Sequence, residues 1–190
     1  MQRNRSICVY CGSNDGIRPE YRAVASALGT AMARADIGLV YGGARVGLMG
    51  AVADAVLAEG GRVVGWIPHQ LAKREVEHTG LTELHVVGSM HERKHGMAAC
   101  ADAFLALPGG YGTLDELCEI LGWAQLGLHA KPVVLLNQNG YYDPLLAMLD
   151  RAMEEGFLKP QHRRTAQAAA GVEAALHLIQ TAWSAQAEKS

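Results

Sequence analysis

Short apolar runs alternate along the chain with longer segments of helical character. The apolar runs predict six strands: Ser6–Tyr10, Ile37–Tyr41, Arg62–Ile67, Leu84–Val87, Asp102–Leu107 and Pro132–Leu136. The other segments predict helices at Pro19 to about Arg34, Leu48–Glu59, Met90–Ala101, Thr113–Leu128, Tyr141–Glu155 and Val172–Ala185. Because the strands are apolar on both faces and alternate with helices, we expect a doubly wound, Rossmann-like α/β fold with a parallel sheet.

Length and composition favour one domain over residues 1–190. With 49% hydrophobic residues, a chain of 190 residues can bury a sizeable core without disulfides or metal. The net charge is -2 and no block of like charge occurs, so we expect neither a nucleic-acid polymer nor a membrane as partner. The absence of a secretory leader and of a membrane-spanning apolar stretch, together with four cysteines, predicts a cytoplasmic protein.

The segment Leu107–Glu119, which reads LPGGYGTLDELCE, carries the clearest chemical signal. Pro108 stops the preceding strand, and the glycines that follow it allow a sharp turn and close approach of a ligand to the backbone. Thr113 is the predicted N-cap of the next helix, with Glu116 completing a capping box. A strand, a glycine loop and a helix N-terminus predict a phosphate site. In a second interpretation, the loop is only a turn and Glu116 only a cap.

Two other predicted strands also end in small, glycine-bearing loops, at Gly12-Ser13 and at Gly42–Gly47. Ligands in doubly wound folds bind beyond the carboxyl ends of the strands, so these loops are expected to converge on one ligand. Ala44 interrupts a dinucleotide fingerprint in the second loop, and the following strand lacks an acidic residue, so NAD binding is not indicated. The chain also lacks the P-loop motif.

The segment Met90–His95, MHERKH, allows two interpretations. His91, Glu92 and His95 form an H-E-x-x-H pattern, which places two imidazoles on one helix face and would suit a zinc-dependent hydrolase. Arg93 and Lys94 are adjacent cations directly after a strand, suited to a phosphate or a developing anion.

Together these motifs resemble one family. The pairing of M-H-x-R-K with P-G-G-x-G-T-x-x-E is similar to the LONELY GUY family of cytokinin riboside 5'-monophosphate phosphoribohydrolases, formerly mislabelled lysine decarboxylases. The resemblance extends from Cys11 to about Phe157 and includes Gly140-Tyr141-Tyr142. It implies that the protein hydrolyses the N-glycosidic bond of cytokinin nucleotides to free base and ribose 5-phosphate, with AMP as an expected further substrate. The resemblance also implies a homodimer.

The resemblance also implies roles for individual residues. Arg93 and Glu116 fall on the catalytic positions. The nucleotide contacts fall on Ser13, Gly43, Glu75, Arg93, Lys94, Gly109, Gly110, Tyr111, Gly112, Thr113, Leu114 and Asp115. A carboxylate beside the sugar can stabilise an oxocarbenium-like transition state and orient water, which fits Glu116. Neither the loop nor this carboxylate requires a metal or cofactor, so we expect none.

Two further alternatives to this enzyme stay open. A pyridoxal-phosphate decarboxylase would need a Schiff-base lysine, and of the five lysines only Lys94 lies in a plausible position. A non-catalytic nucleotide-binding protein would keep the glycine loops but release no base.

Overall fold

The computed structural model describes residues 4–72 and 77–188 as alternating strands and helices. The strands are β1 Ser6–Tyr10, β2 Gly38–Tyr41, β3 Val63–Pro68, β4 Glu83–Val87, β5 Ala103–Ala106, β6 Val133–Leu136 and β7 Ala166–Ala169. The helices are α1 Pro19–Arg34, α2 Gly47–Ala58, α3 His69–Ala72, α4 Met90–Cys100, α5 Tyr111–Gln125, α6 Asp143–Glu154, α7 Pro160–Arg163 and α8 Val172–Ala187, with a 3-10 turn at Gln138–Gly140.

The strands form one parallel sheet in the order β4-β3-β2-β1-β5-β6-β7. From β1 the chain builds outward in one direction through β2, β3 and β4, then returns to the centre and builds in the other direction from β5. The order therefore reverses between β1 and β5, and the helices that follow these two strands, α1 and α5, pack on opposite faces of the sheet. This arrangement confirms the predicted doubly wound α/β fold and places the switch point at the centre of the sheet.

Helices cover both faces of the sheet because alternate residues of each strand point to opposite faces. In β1, Ile7 and Val9 belong to the core shared with α1, α2 and α8. Cys8 and Tyr10 belong to the core on the other face, which α4, α5 and α6 cover. Cys8 and Cys11 therefore belong to cores on opposite faces of the sheet. Among the described helices, none is long and apolar enough to cross a membrane.

The structure adds elements that the hydrophobic pattern did not indicate. β7 has the sequence AQAA, with its end residues buried and its middle exposed, and it pairs with the outer edge of β6. Alanine and glutamine have little intrinsic preference for strands, so the exposed edge of β6 supplies the hydrogen bonds that define this strand. The short helices α3 and α7 were also missed, because single turns carry too few residues to show a period.

Candidate active site

A cavity of about 910 Å³ lies at the switch point, beyond the carboxyl ends of the strands. The loops after β1, β2 and β5 form its walls, together with residues of α4 and α5. Eight of the predicted site residues line it: Ser13, Arg93, Gly109, Gly110, Tyr111, Gly112, Thr113 and Glu116. The predicted convergence of three glycine loops on one space is therefore confirmed.

Backbone contacts lock these loops together. The N–H of Gly12 donates to the carbonyl of Pro108 at 3.0 Å, and the N–H of Leu48 donates to the carbonyl of Gly12 at 3.1 Å. Gly47 has φ +57, and a Cβ there would overlap the backbone of Ser13. Only glycine satisfies both the positive φ and this close approach. The loops after β1, β2 and β5 thus form one continuous surface.

An ion pair between α4 and α5 lies at the wall of the cavity. Arg93 Nη1 is 2.9 Å from Glu116 Oε1, and Arg93 Nε donates to the carbonyl of Trp66 at 3.1 Å. Both residues are almost inaccessible, with 8% of Arg93 and 6% of Glu116 exposed. The guanidinium packs against Gly42, where any side chain would overlap it. The two residues that the resemblance marks as catalytic are therefore direct partners.

Burial dominates the electrostatics of this pair. Loss of hydration raises the pKa of Glu116 above its usual range, although the neighbouring Arg93 acts in the opposite direction. Burial likewise raises the pKa of the Cys11 thiol, which also lines the cavity. Cys11 is therefore a neutral thiol and a poor nucleophile. A carboxyl with a raised pKa in a cleft is the kind of group that performs acid–base or electrostatic chemistry.

The predicted capping box is wrong. Helix α5 begins at Tyr111, with Gly110 as its N-cap and no side-chain hydrogen bond to the cap. Thr113 lies inside the first turn and is buried, while Glu116 reaches Arg93 instead of the helix start. A glycine N-cap has no side chain to accept from the first N–H groups, so these donors remain for a ligand.

Four other predicted contacts do not line the cavity. Lys94 Nζ lies 3.1 Å from Asp115 Oδ2 and 3.1 Å from Glu119 Oε1. Leu114 packs against the core beneath α5. Gly43 has φ +75, and a Cβ there would lie 3.1 Å from Ile67 Cβ and 3.3 Å from the backbone nitrogen of Trp66 in β3. A fifth, Glu75, lies outside the described residues.

The contacts of the H-E-x-x-H segment do not support the zinc alternative. Ser89 Oγ accepts from the N–H of Glu92 at 3.2 Å, and Glu92 Oε2 accepts from the N–H of Gly88 at 2.8 Å. Glu92 thus caps α4. Within residues 4–72 and 77–188, no three His, Cys, Asp or Glu side chains are grouped to hold a metal ion. Nor does a lysine from this part of the chain line the cavity, as a pyridoxal-phosphate enzyme would require.

Several cavity residues were not predicted. Tyr21 and Tyr141 meet edge to face, with ring centroids 5.9 Å apart, and Tyr141 donates a hydrogen bond to the carbonyl of Gly109. Leu48, Met49, Ile67 and Leu71 line the same cavity and form an apolar wall. These side chains come from separate elements and have no shared motif, although Tyr141 lies in the Gly140-Tyr141-Tyr142 segment noted above.

Comparison with known proteins adds to this geometry. A family model described as "Possible lysine decarboxylase" matches residues 49–179. A cytokinin riboside 5'-monophosphate phosphoribohydrolase from Rhodococcoides fascians is 50% identical over 178 residues, covering 93% of this chain and 90% of that protein. The chain belongs to this family, the LONELY GUY family. A probable phosphoribohydrolase of the same description from Oryza sativa subsp. japonica is 51% identical over 180 residues, covering 95% of this chain and 79% of the relative.

Solved structures show the same fold in a more distant group. The Moco carrier protein from Chlamydomonas reinhardtii superposes with a TM-score of 0.73 at 21% identity, covering 96% of this chain and 99% of that one. A molybdenum cofactor binding protein from Rippkaea orientalis gives a TM-score of 0.73 at 23% identity, covering 95% and 98%. At these identities the similarity concerns the fold alone.

Proposed function

We propose that this member of the family hydrolyses the N-glycosidic bond of cytokinin riboside 5'-monophosphates, and also that of AMP, to free base and ribose 5-phosphate. The observation that carries the proposal is the buried Arg93–Glu116 pair, which lies beside a glycine loop and an uncapped helix N-terminus in one cavity. The names of the relatives supply the reaction class.

The 5'-phosphate binds at the start of α5. The first intrahelical donor there is the N–H of Leu114, which donates to the carbonyl of Gly110 at 3.1 Å. The N–H groups of Tyr111, Gly112 and Thr113 precede it and have no acceptor within the helix. Because no side chain caps this end, a phosphate takes the place of the cap, and the helix dipole favours its charge.

Glu116 acts on the sugar. Cleavage of a glycosidic bond develops positive charge on the ribose ring, and an ionised carboxylate beside it stabilises that charge and orients a water molecule. Arg93 holds the carboxylate in one orientation through the 2.9 Å ion pair, and the carbonyl of Trp66 holds Arg93. Phosphate binding at α5 fixes the ribose relative to Glu116, which lowers the entropic cost of reaching the transition state.

The base lies against the apolar wall on the β2–β3 side. Leu48, Met49, Ile67 and Leu71 line the cavity there and offer dispersion contacts to a purine and to an apolar substituent on it. This wall accepts adenine without a substituent as well, which is why AMP is included in the proposed substrates.

The other predicted site residues fall into two groups, those that line the cavity and those that do not. Ser13, Arg93 and the loop 109–113 contact the nucleotide directly. Gly43, Lys94, Leu114 and Asp115 support these contacts from outside the cavity, and Glu75 keeps the role that the family resemblance gives it. We also propose a homodimer, as the family resemblance implies. We propose a cytoplasmic location because all four cysteines, Cys8, Cys11, Cys100 and Cys118, are free thiols.

A base-release assay tests the proposal. AMP and isopentenyladenosine monophosphate are offered side by side to the wild type and to Glu116→Gln, and the free base is measured. The amide keeps the size of the side chain but removes its charge, so turnover should fall by about a hundredfold or more, while the variant still binds AMP.

The matched control is Glu119→Gln, the same change on the same helix at a residue that does not line the cavity. It should retain turnover close to that of the wild type. Wild-type protein that binds AMP but releases no base would favour the non-catalytic alternative. A folded Glu116→Gln variant with wild-type turnover would refute the catalytic role of the carboxylate.

A further inference from the structure

Three consecutive carbonyls of the glycine loop are each bound by a donor from another part of the chain. The carbonyl of Leu107 accepts from the hydroxyl of Tyr142 at 2.6 Å, and that of Pro108 accepts from the N–H of Gly12 at 3.0 Å. The carbonyl of Gly109 accepts from the hydroxyl of Tyr141. Carbonyl oxygens repel an anion, so a loop that binds phosphate functions best when its carbonyls are turned toward other donors.

The hydrogen bond from Tyr141 also fixes the direction of an N–H group. A trans peptide is planar, and its C=O and N–H point in opposite directions. Holding the carbonyl of Gly109 therefore holds the N–H of Gly110, the N-cap residue of α5. Glycines on both sides of this peptide would otherwise let the plane rotate at little cost.

The tyrosines are themselves held by a side chain at the end of β6. Asn137 Oδ1 accepts from the N–H of Tyr142 at 2.7 Å, and Asn137 Nδ2 donates to Asp143 Oδ1 at 2.6 Å. The turn between β6 and α6 is thus built to deliver two hydroxyls to the loop after β5. Tyr142 is 1% exposed and part of the core, whereas Tyr141 is 39% exposed and lines the cavity.

We propose that the hydroxyl of Tyr141 is a positioning group for the 5'-phosphate site, acting by orienting the Gly109–Gly110 peptide. This inference rests on the proposed function, because it assumes that a phosphate binds at the start of α5. The turn after β6 thereby contributes to recognition of the phosphate and not of the base. Loss of the Tyr141 hydroxyl should weaken the binding of every ligand that carries the phosphate and leave the binding of the free base unchanged.

The test uses Tyr141→Phe, with AMP as substrate and the two products as inhibitors. We expect kcat/KM for AMP to fall about tenfold, the scale of one hydrogen bond, mainly through a higher KM. The inhibition constant of ribose 5-phosphate should rise by a similar factor, and that of adenine should stay unchanged. General damage to the cavity would weaken both inhibitors, so the split between them isolates the phosphate site.

Two further variants complete the design. Tyr21→Phe removes a hydroxyl from the aromatic partner of Tyr141, for which the described residues show no hydrogen bond to the loop, and it should leave the ratio of the two inhibition constants at the wild-type value. Tyr142→Phe should lower the melting temperature, because it leaves the buried carbonyl of Leu107 without its hydrogen-bond donor.

Equal inhibition of wild type and Tyr141→Phe by ribose 5-phosphate would overturn the inference while leaving the proposed function intact. An equal rise in the inhibition constants of ribose 5-phosphate and adenine in Tyr141→Phe would also overturn the inference. Wild-type protein that releases base from neither AMP nor isopentenyladenosine monophosphate, and that does not bind ribose 5-phosphate, would instead refute the proposed function itself.

Discussion

Replacing Gly42 with alanine should disable the Arg93–Glu116 pair, although neither residue of the pair is itself replaced. A Cβ at position 42 would overlap Arg93 Nη2 and Met49 Cε and would lie 3.0 Å from Arg93 Cζ. Met49 can turn aside because its side chain is flexible. The guanidinium cannot move freely, since it is held at 2.9 Å by Glu116 and at 3.1 Å by the carbonyl of Trp66.

The size of the effect follows from this geometry. A Cβ at position 42 would lie 1.9 Å from Arg93 Nη2, so restoring an ordinary contact of 3.4 Å requires the guanidinium to move by about 1.5 Å. A misplacement of about 1 Å near the reacting groups already costs on the order of a hundredfold in rate. A hundredfold loss corresponds to about 2.7 kcal/mol of barrier. Overpacking should also lower the free energy of unfolding by about 1–3 kcal/mol. The loss of turnover should therefore persist at temperatures where Gly42→Ala is fully folded.

The assay is AMP hydrolysis under saturating substrate, with thermal unfolding measured in parallel. Gly171→Ala is the control, because Gly171 is the N-cap of α8 and a Cβ there meets no atom within 4 Å. The control should match the wild type in turnover. A folded Gly42→Ala variant with wild-type turnover would show that the position of the Arg93 guanidinium does not matter to the reaction.

Three other predictions concern pH, metal and assembly. Burial raises the pKa of Glu116, so the folded chain retains a proton that the unfolded chain releases. The protonated carboxyl therefore stabilises the folded state below about pH 4.3, and this contribution to the free energy of unfolding is lost as pH rises through the folded pKa. The melting temperature of the wild type relative to Glu116→Gln should therefore fall with rising pH, and a constant difference would contradict this. A chelator should not change turnover, whereas loss that zinc restores would support the His91–His95 alternative. Light scattering should show a dimer, and a monomer at micromolar concentration would exclude it.

Local sequence patterns predicted most of the fold. The strand Ser6–Tyr10 and the start of α1 at Pro19 have the predicted bounds, because a short apolar run and a proline at the first helical position are local signals. The glycine loops were located in the same way, from residues adjacent in sequence. β7 was not predicted, because a short alanine-rich segment becomes a strand only when the edge of β6 lies beside it.

The candidate site required the tertiary structure. The sequence singled out Arg93 and Glu116, but their 2.9 Å contact depends on how α4 and α5 pack on one face of the sheet. The T-x-x-E spacing of Thr113 and Glu116 wrongly predicted a cap. A local pattern contains no information on the buried guanidinium of Arg93, which comes from another helix and forms an ion pair with Glu116. The hydrogen bond from Tyr141 to the loop after β5 likewise exists only because β6 lies next to β5 in the sheet. Local spacing determines which residues can begin a helix or turn, whereas strand order determines which distant side chains meet.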